Sequence, residues 1–202
     1  MEFESRLAGF RSRPFALKQL LWPNVRFFNK QVEVIESVRD NVETYVPAGN
    51  MLGKDFVTGF IVLWTFLSWR NVKIVTTSAT DLQLDVLWGE IDWFIRQSVY
   101  PLLHPRGPLV YNNRELRKVI DGVVNQDIYA CSRVVTSGKK GEGLSGHHQE
   151  HTLFVGDEAS GLPDVAYEMA QGWAKRFLFI GNPNPCNNFF KKGVEAGDLI
   201  AS

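Results

Sequence analysis

Two short segments, roughly a hundred residues apart, constrain this chain more than anything else in it. The first runs Val46-Pro47-Ala48-Gly49-Asn50-Met51-Leu52-Gly53-Lys54-Asp55. A short β-prone stretch, Glu43 to Pro47, feeds a turn supplied by Gly49 and Gly53. Lys54 to Trp69 then reads as a helix that is apolar almost all round, and therefore central and buried. A strand, a glycine turn and a helix opening on a lysine form a cradle for phosphate. The glycines let backbone N–H groups turn inward, and the helix N-terminus adds a favourable dipole. The second segment, Leu153-Phe154-Val155-Gly156-Asp157-Glu158, is an apolar strand ending in two carboxylates. A parallel strand delivers its last residues to the C-terminal edge of the sheet, where ligands bind.

The rest of the chain supplies the scaffold these segments need. Asn29 to Arg39 has helical spacing through Val32, Ile35 and Val38, with Asn29 as a candidate N-cap. Val72 to Thr77 is a near-continuous apolar strand of the parallel-sheet kind. Thr80 or Asp81 caps a helix that continues to about Gln97. Pro101, Pro105 and Pro108 mark an irregular connection. Ile128 to Val135 is β-prone, Ser137 to Gly146 is a glycine-rich loop with Lys139 and Lys140 at its tip, and Thr152 to Val155 is a strand. Pro163 to Trp173 reads as a helix and Phe177 to Ile180 as a strand. Residues 1–22 read as a basic and apolar N-terminal extension interrupted by Pro14, and residues 23–202 as one domain. Strands alternating with helices predict a mainly parallel sheet with helices on both faces.

That architecture, with one segment for phosphates and another for metal and water, defines an α/β P-loop NTPase of the RecA-like kind, the division with an additional strand and a catalytic glutamate (ASCE). Bulk composition permits this and excludes other classes. At 45% hydrophobic and 12% aromatic residues the chain can bury a core. Lys plus Arg and Asp plus Glu are 22 each, so contact with nucleic acid must come from local patches. Cys131 and Cys186 form no disulfide framework, as expected of reduced cytoplasmic thiols. The acidic N-terminus is not a signal peptide, and the apolar run from Gly59 to Trp69 is too short for a bilayer, which needs about 20 residues.

Each site residue has a role to test. Ala48, Gly49, Asn50, Met51, Leu52 and Gly53 would wrap the phosphates, and Lys54 would place its charge on the β- and γ-phosphates of ATP. The loop departs from the common pattern twice: Ala48 stands at the first glycine, and Asp55 where Ser or Thr usually follows the lysine. Asp55 is a good Mg²⁺ ligand that also puts negative charge beside a triphosphate. Asp157 would orient the Mg²⁺ shell, and Glu158 would polarise the attacking water as general base. Asn182, after the Phe177 to Ile180 strand, is either a γ-phosphate sensor or a simple Asn-Pro turn. Gln31 either reads the adenine edge or is an exposed helix residue. His147 and His151 have a zinc-like spacing, but a loop and a strand carry them, and no zinc site is expected. Lys139 and Lys140 form a solvated tip or touch a DNA backbone.

The ordered set Phe28-Asn29-Lys30-Gln31, VPAGNMLGKD, IVTTSATDLQLDVLWGEI, GLSGHHQEHTLFVGDEAS and FIGNPN resembles the large subunit of tailed-bacteriophage terminases, the DNA-packaging motor, over about residues 20 to 190. The resemblance implies ATP hydrolysis with Mg²⁺ that drives double-stranded DNA into a procapsid. Its implied partners are a portal protein and a terminase small subunit, in a homo-oligomeric ring in the bacterial cytoplasm without a membrane. It puts Gln31 at the adenine, Thr76, Thr77 and Ser78 beside the site, and Asn182 in the segment coupling hydrolysis to DNA movement. It also calls for an arginine, with Arg70, Arg106 and Arg133 as candidates. The family's C-terminal nuclease domain is expected to be absent from a chain ending at Ser202. A helicase-like ATPase and a non-hydrolysing nucleotide-binding module are the alternatives.

Overall fold

The computed structural model describes residues 7–49, 53–135 and 143–196; Asn50, Met51, Leu52, Lys139 and Lys140 lie outside these. Helix α1 (Pro14–Leu21) and α2 (Asn29–Asp40) precede strand β1 (Glu43–Pro47). Then come α3 (Lys54–Ser68), β2 (Val72–Ser78) and α4 (Asp81–Gln97). Strands β3 (Leu109–Asn112), β4 (Glu115–Ile120) and β5 (Val123–Val134) follow. The chain continues through β6 (His151–Asp157), a 3₁₀ turn (Ala159–Gly161), α5 (Asp164–Gln171), β7 (Arg176–Gly181) and α6 (Phe189–Glu195).

The seven strands form one sheet in the order β1-β7-β6-β2-β5-β4-β3. β1, β7, β6, β2 and β5 run parallel, as the alternating pattern predicts. β3 and β4 add an antiparallel edge that the sequence reading did not anticipate. Its two connections are two-residue hairpin turns, Asn113-Arg114 and Asp121-Gly122, all four with positive φ. Such turns match the right-handed twist of the strands they join.

Period-two alternation divides the core. Val46, Ile74, Leu153, Val155, Leu178 and Ile180 face one cluster, shared with residues of α1 to α4. Tyr45, Val75, Phe154, Phe177 and Phe179 face the other, shared with residues of α5 and α6. Both faces of the central strands are therefore apolar, which accounts for their continuous hydrophobic runs. Of the fifteen residues of α3 only Asp55 and Phe56 are not buried. Leu17, Leu21 and Trp22 are buried in this core. Pro14 opens α1 instead of breaking it, since the first helical position has no N–H partner to lose. Trp22 packs edge-on against Phe60 and Phe94 and donates its indole N–H to the Phe94 carbonyl at 2.7 Å. No helix among the described residues is long and apolar enough to cross a membrane.

Phe179 is fully buried and contacts the rings of Tyr45, Phe154, Phe177, Tyr167 and Phe189. Phe179→Ala is expected to destabilise the fold by about 3–5 kcal/mol. Urea unfolding monitored by circular dichroism checks this, and a loss below 1 kcal/mol would mean that this face is not a packed core.

Candidate functional site

Strand order sets the site. β7 lies between β1 and β6, so the segments after these three strands emerge side by side at the C-terminal edge. Pro47 is level with Gly181, and Ile180 with Asp157. The Ala48 N–H donates to the Gly181 carbonyl at 2.9 Å, carrying the pairing one residue further towards the phosphate loop. β7 is the additional strand of the predicted class, and Asn182 follows it between the loop and the two carboxylates.

Gly53 caps α3 in the left-handed region, with φ of 66°. A Cβ there would be strained and would lie 2.7 Å from Nε2 of Gln31. Gln31 is only 6% exposed. Its Nε2 donates to the Gly53 carbonyl at 3.2 Å, and its Oε1 accepts from the Phe28 N–H at 3.1 Å. Gln31 thus fastens Gly53, the residue before α3, to the start of α2, a contact with no signal in the sequence. Lys54 is buried as the first residue of α3, and its Nζ pairs with Oε1 of Glu158, 104 residues away. Glu158 itself has a left-handed backbone, with φ of 49°.

Asp157 is 2% exposed, and its Oδ1 has no hydrogen-bond partner among the described residues. Burial, reinforced by the charge of Asp55 and opposed by Lys54, pushes its carboxyl up to about 7. Burial also raises Asp55 above its usual range, against the pull of Lys54. Glu90 on α4 is raised by burial and by Asp55 in turn. An orphaned, buried carboxylate oxygen within the influence of a second carboxylate suits a hard divalent cation. Among the described residues no three His, Cys, Asp or Glu side chains are grouped to hold a metal. Mg²⁺ does not need such a cage: it is commonly bound by one or two carboxylates with phosphate and water completing the shell. Asp157 and Asp55 fit that requirement.

The remaining expectations sort by position. Thr76 accepts a 2.9 Å hydrogen bond from the Trp88 indole, Thr77 donates to the Arg133 carbonyl at 2.7 Å, and Ser78 donates to Gln83 at 2.6 Å. All three are buried beside β5 and α4 at the edge that carries the site. Arg133, near the end of β5, reaches that same edge, whereas Arg70 precedes β2 and sits at the opposite one. His147 uses both ring nitrogens, toward the Tyr129 hydroxyl and the Gly143 carbonyl at 2.7 Å each. It packs on Trp173, and these contacts tie the loop to β5 and to the chain just past the end of α5.

Comparison with known proteins gives the class and then the family it resembles. No family model matches the chain. The fold is that of large terminase ATPase domains, which are P-loop NTPases. The Thermus phage P74-26 large terminase ATPase domain superposes with a TM-score of 0.63 at 15% identity, over 88% of this chain and 72% of that one. The HK97 bacteriophage large terminase gives 0.62 at 15% identity, over 98% of this chain and 42% of that one. A large terminase from a thermophilic bacteriophage in complex with ADP gives 0.58 at 15% identity, over 87% and 45%. A probable terminase large subunit of Enterobacteria phage P7 is 25% identical over 171 residues, 80% of this chain. The resemblance to terminase large subunits read from the sequence is borne out, and the chain spans about a third of the length of that relative.

Asp157 holds its proton in the fold up to about pH 7 but releases it near pH 3.9 when unfolded. Between those values the folded state binds more protons, so the stability of the nucleotide-free chain is expected to fall as pH rises through the window. Asp157→Asn should remove most of that fall and exceed the wild type at pH 8 by about 1–3 kcal/mol. Urea melts of both proteins at pH 5 and pH 8 test this; parallel pH dependence would place the titration elsewhere.

Proposed function

We propose that this chain is an ATPase that hydrolyses ATP with Mg²⁺ as the motor portion of a terminase large subunit. The observation that carries the reading is the Lys54–Glu158 pair beside the orphaned Asp157. A phosphate-seeking cation, a metal-seeking carboxylate and a base meet at one edge of the sheet. In the reaction, Lys54 leaves Glu158 for the β- and γ-phosphates. Glu158, freed, accepts a proton from water as the water oxygen attacks the γ-phosphorus. The bond to the bridging oxygen breaks, and ADP departs with its electrons. Asp157 and Asp55 would hold Mg²⁺, which when bound neutralises charge building on the phosphates. Gly53, held by Gln31, would keep the loop shaped around the phosphates, and Asn182 would report the γ-phosphate to the segment that follows β7.

The first function of the Lys54–Glu158 contact is then to couple substrate arrival to base release, since one ammonium serves both partners in turn. Double-stranded DNA as the moved substrate, a portal protein, a small subunit, a homo-oligomeric ring and a place in the host cytoplasm rest on the resemblance to terminases. The solved relative with bound ADP supports nucleotide as the ligand.

Mg²⁺-dependent release of phosphate from ATP by the purified chain tests the reading. Lys54→Ala is expected to remove ATP binding and turnover together. Glu158→Gln is expected to keep binding and lower kcat by about a hundredfold or more. Binding without turnover in the wild type would favour a non-hydrolysing module, and absence of binding would remove the phosphate-loop assignment.

A further inference from the structure

Asn188 stands at the N-cap of α6 and is 8% exposed. Its Oδ1 caps the helix by accepting from the Lys191 N–H at 3.5 Å. Its Nδ2 does something a cap does not require: its two N–H groups serve the carbonyls of Ala159, Ser160 and Leu162, at 3.0, 3.3 and 2.8 Å, with one hydrogen shared. Those carbonyls belong to the turn that begins at Glu158.

The turn needs holding. A left-handed backbone at a non-glycine residue persists only where its surroundings impose it. Internally the turn has two bonds, from the Gly161 N–H to the Glu158 carbonyl at 2.9 Å and from the Leu162 N–H to the Ala159 carbonyl at 3.2 Å. Two further ties surround it. Asp164 accepts from the Phe189 N–H at 2.6 Å, joining the start of α5 to that of α6. Gly181 presses its backbone against the turn, where a Cβ would lie 2.7 Å from the Ala159 nitrogen. Among small side chains that cap a helix, Asn alone adds two N–H donors to an acceptor.

We propose that Asn188 is a positioning residue for Glu158: by binding the three carbonyls that follow it, Asn188 fixes the turn from which the base reaches the water. The segment between β7 and α6, which begins at Asn182, is thereby tied to the base it would report on. The inference rests on reading Glu158 as the general base.

Asn188→Ser separates capping from positioning, because Ser caps a helix as well as Asn does but is too short to donate to the turn. With the full chain, Asn188→Ser is expected to lower kcat by about tenfold with the KM for ATP unchanged. In a Glu158→Gln background it should cost nothing more, since the group it positions is gone. Amide exchange over residues 159–162 should accelerate in the variant. Rate losses that multiply across the two substitutions, a raised KM with intact kcat, or unchanged exchange at 159–162 would each overturn the proposal. A wild type without turnover would instead remove the ATPase reading, while the exchange measurement still decides whether Asn188 holds the turn.

Discussion

The Lys54 ammonium answers three carboxylates at one edge of the sheet. It pairs with Glu158 and opposes the burden that burial places on both Asp157 and Asp55. Without it the edge would gather negative charge in a buried setting, where unpaired charge is costly. With it, the cluster is poised for an anion that also brings a cation. Asp55 adds to the burden on Asp157, and a hydroxyl at that position would leave the site less negative.

The sheet makes the meeting possible. Lys54 and Glu158 lie far apart in sequence and follow strands that are not neighbours, β1 and β6, and β7 sets the spacing between them. Apolar side chains alternate between two helical layers along β1, β6 and β7, so a slip of one residue would invert every buried contact. The register that places Ile180 level with Asp157 is therefore fixed by the core and not by the polar residues at its rim.

Much of this was legible in the sequence because the relevant physics is local. VKIVTT and FLFI read as strands buried on both faces, and GKD after a glycine turn reads as a helix start. The antiparallel edge was missed although Asp121-Gly122, between Val119-Ile120 and Val123-Val124, is a strong hairpin signal. Asn113-Arg114 gave a weaker signal, since Arg seldom adopts positive φ. A proline that breaks a helix and one that starts it, as Pro14 does, look alike in sequence until the flanking contacts are known. The roles of Gln31 and Asn188 were not legible at all. Each depends on a carbonyl presented by another element, and backbone carbonyls carry no trace in sequence.

The near-complete encasement of α3 has a mechanical consequence. A helix surrounded by packed side chains along thirteen of its fifteen residues cannot pivot or slide without opening the core. Lys54, at its head, is thus an anvil fixed to the body of the domain. Any displacement at this edge is then left to the turn after Glu158 and the segment after Gly181, whose backbones touch, while the Lys54 backbone stays with the core.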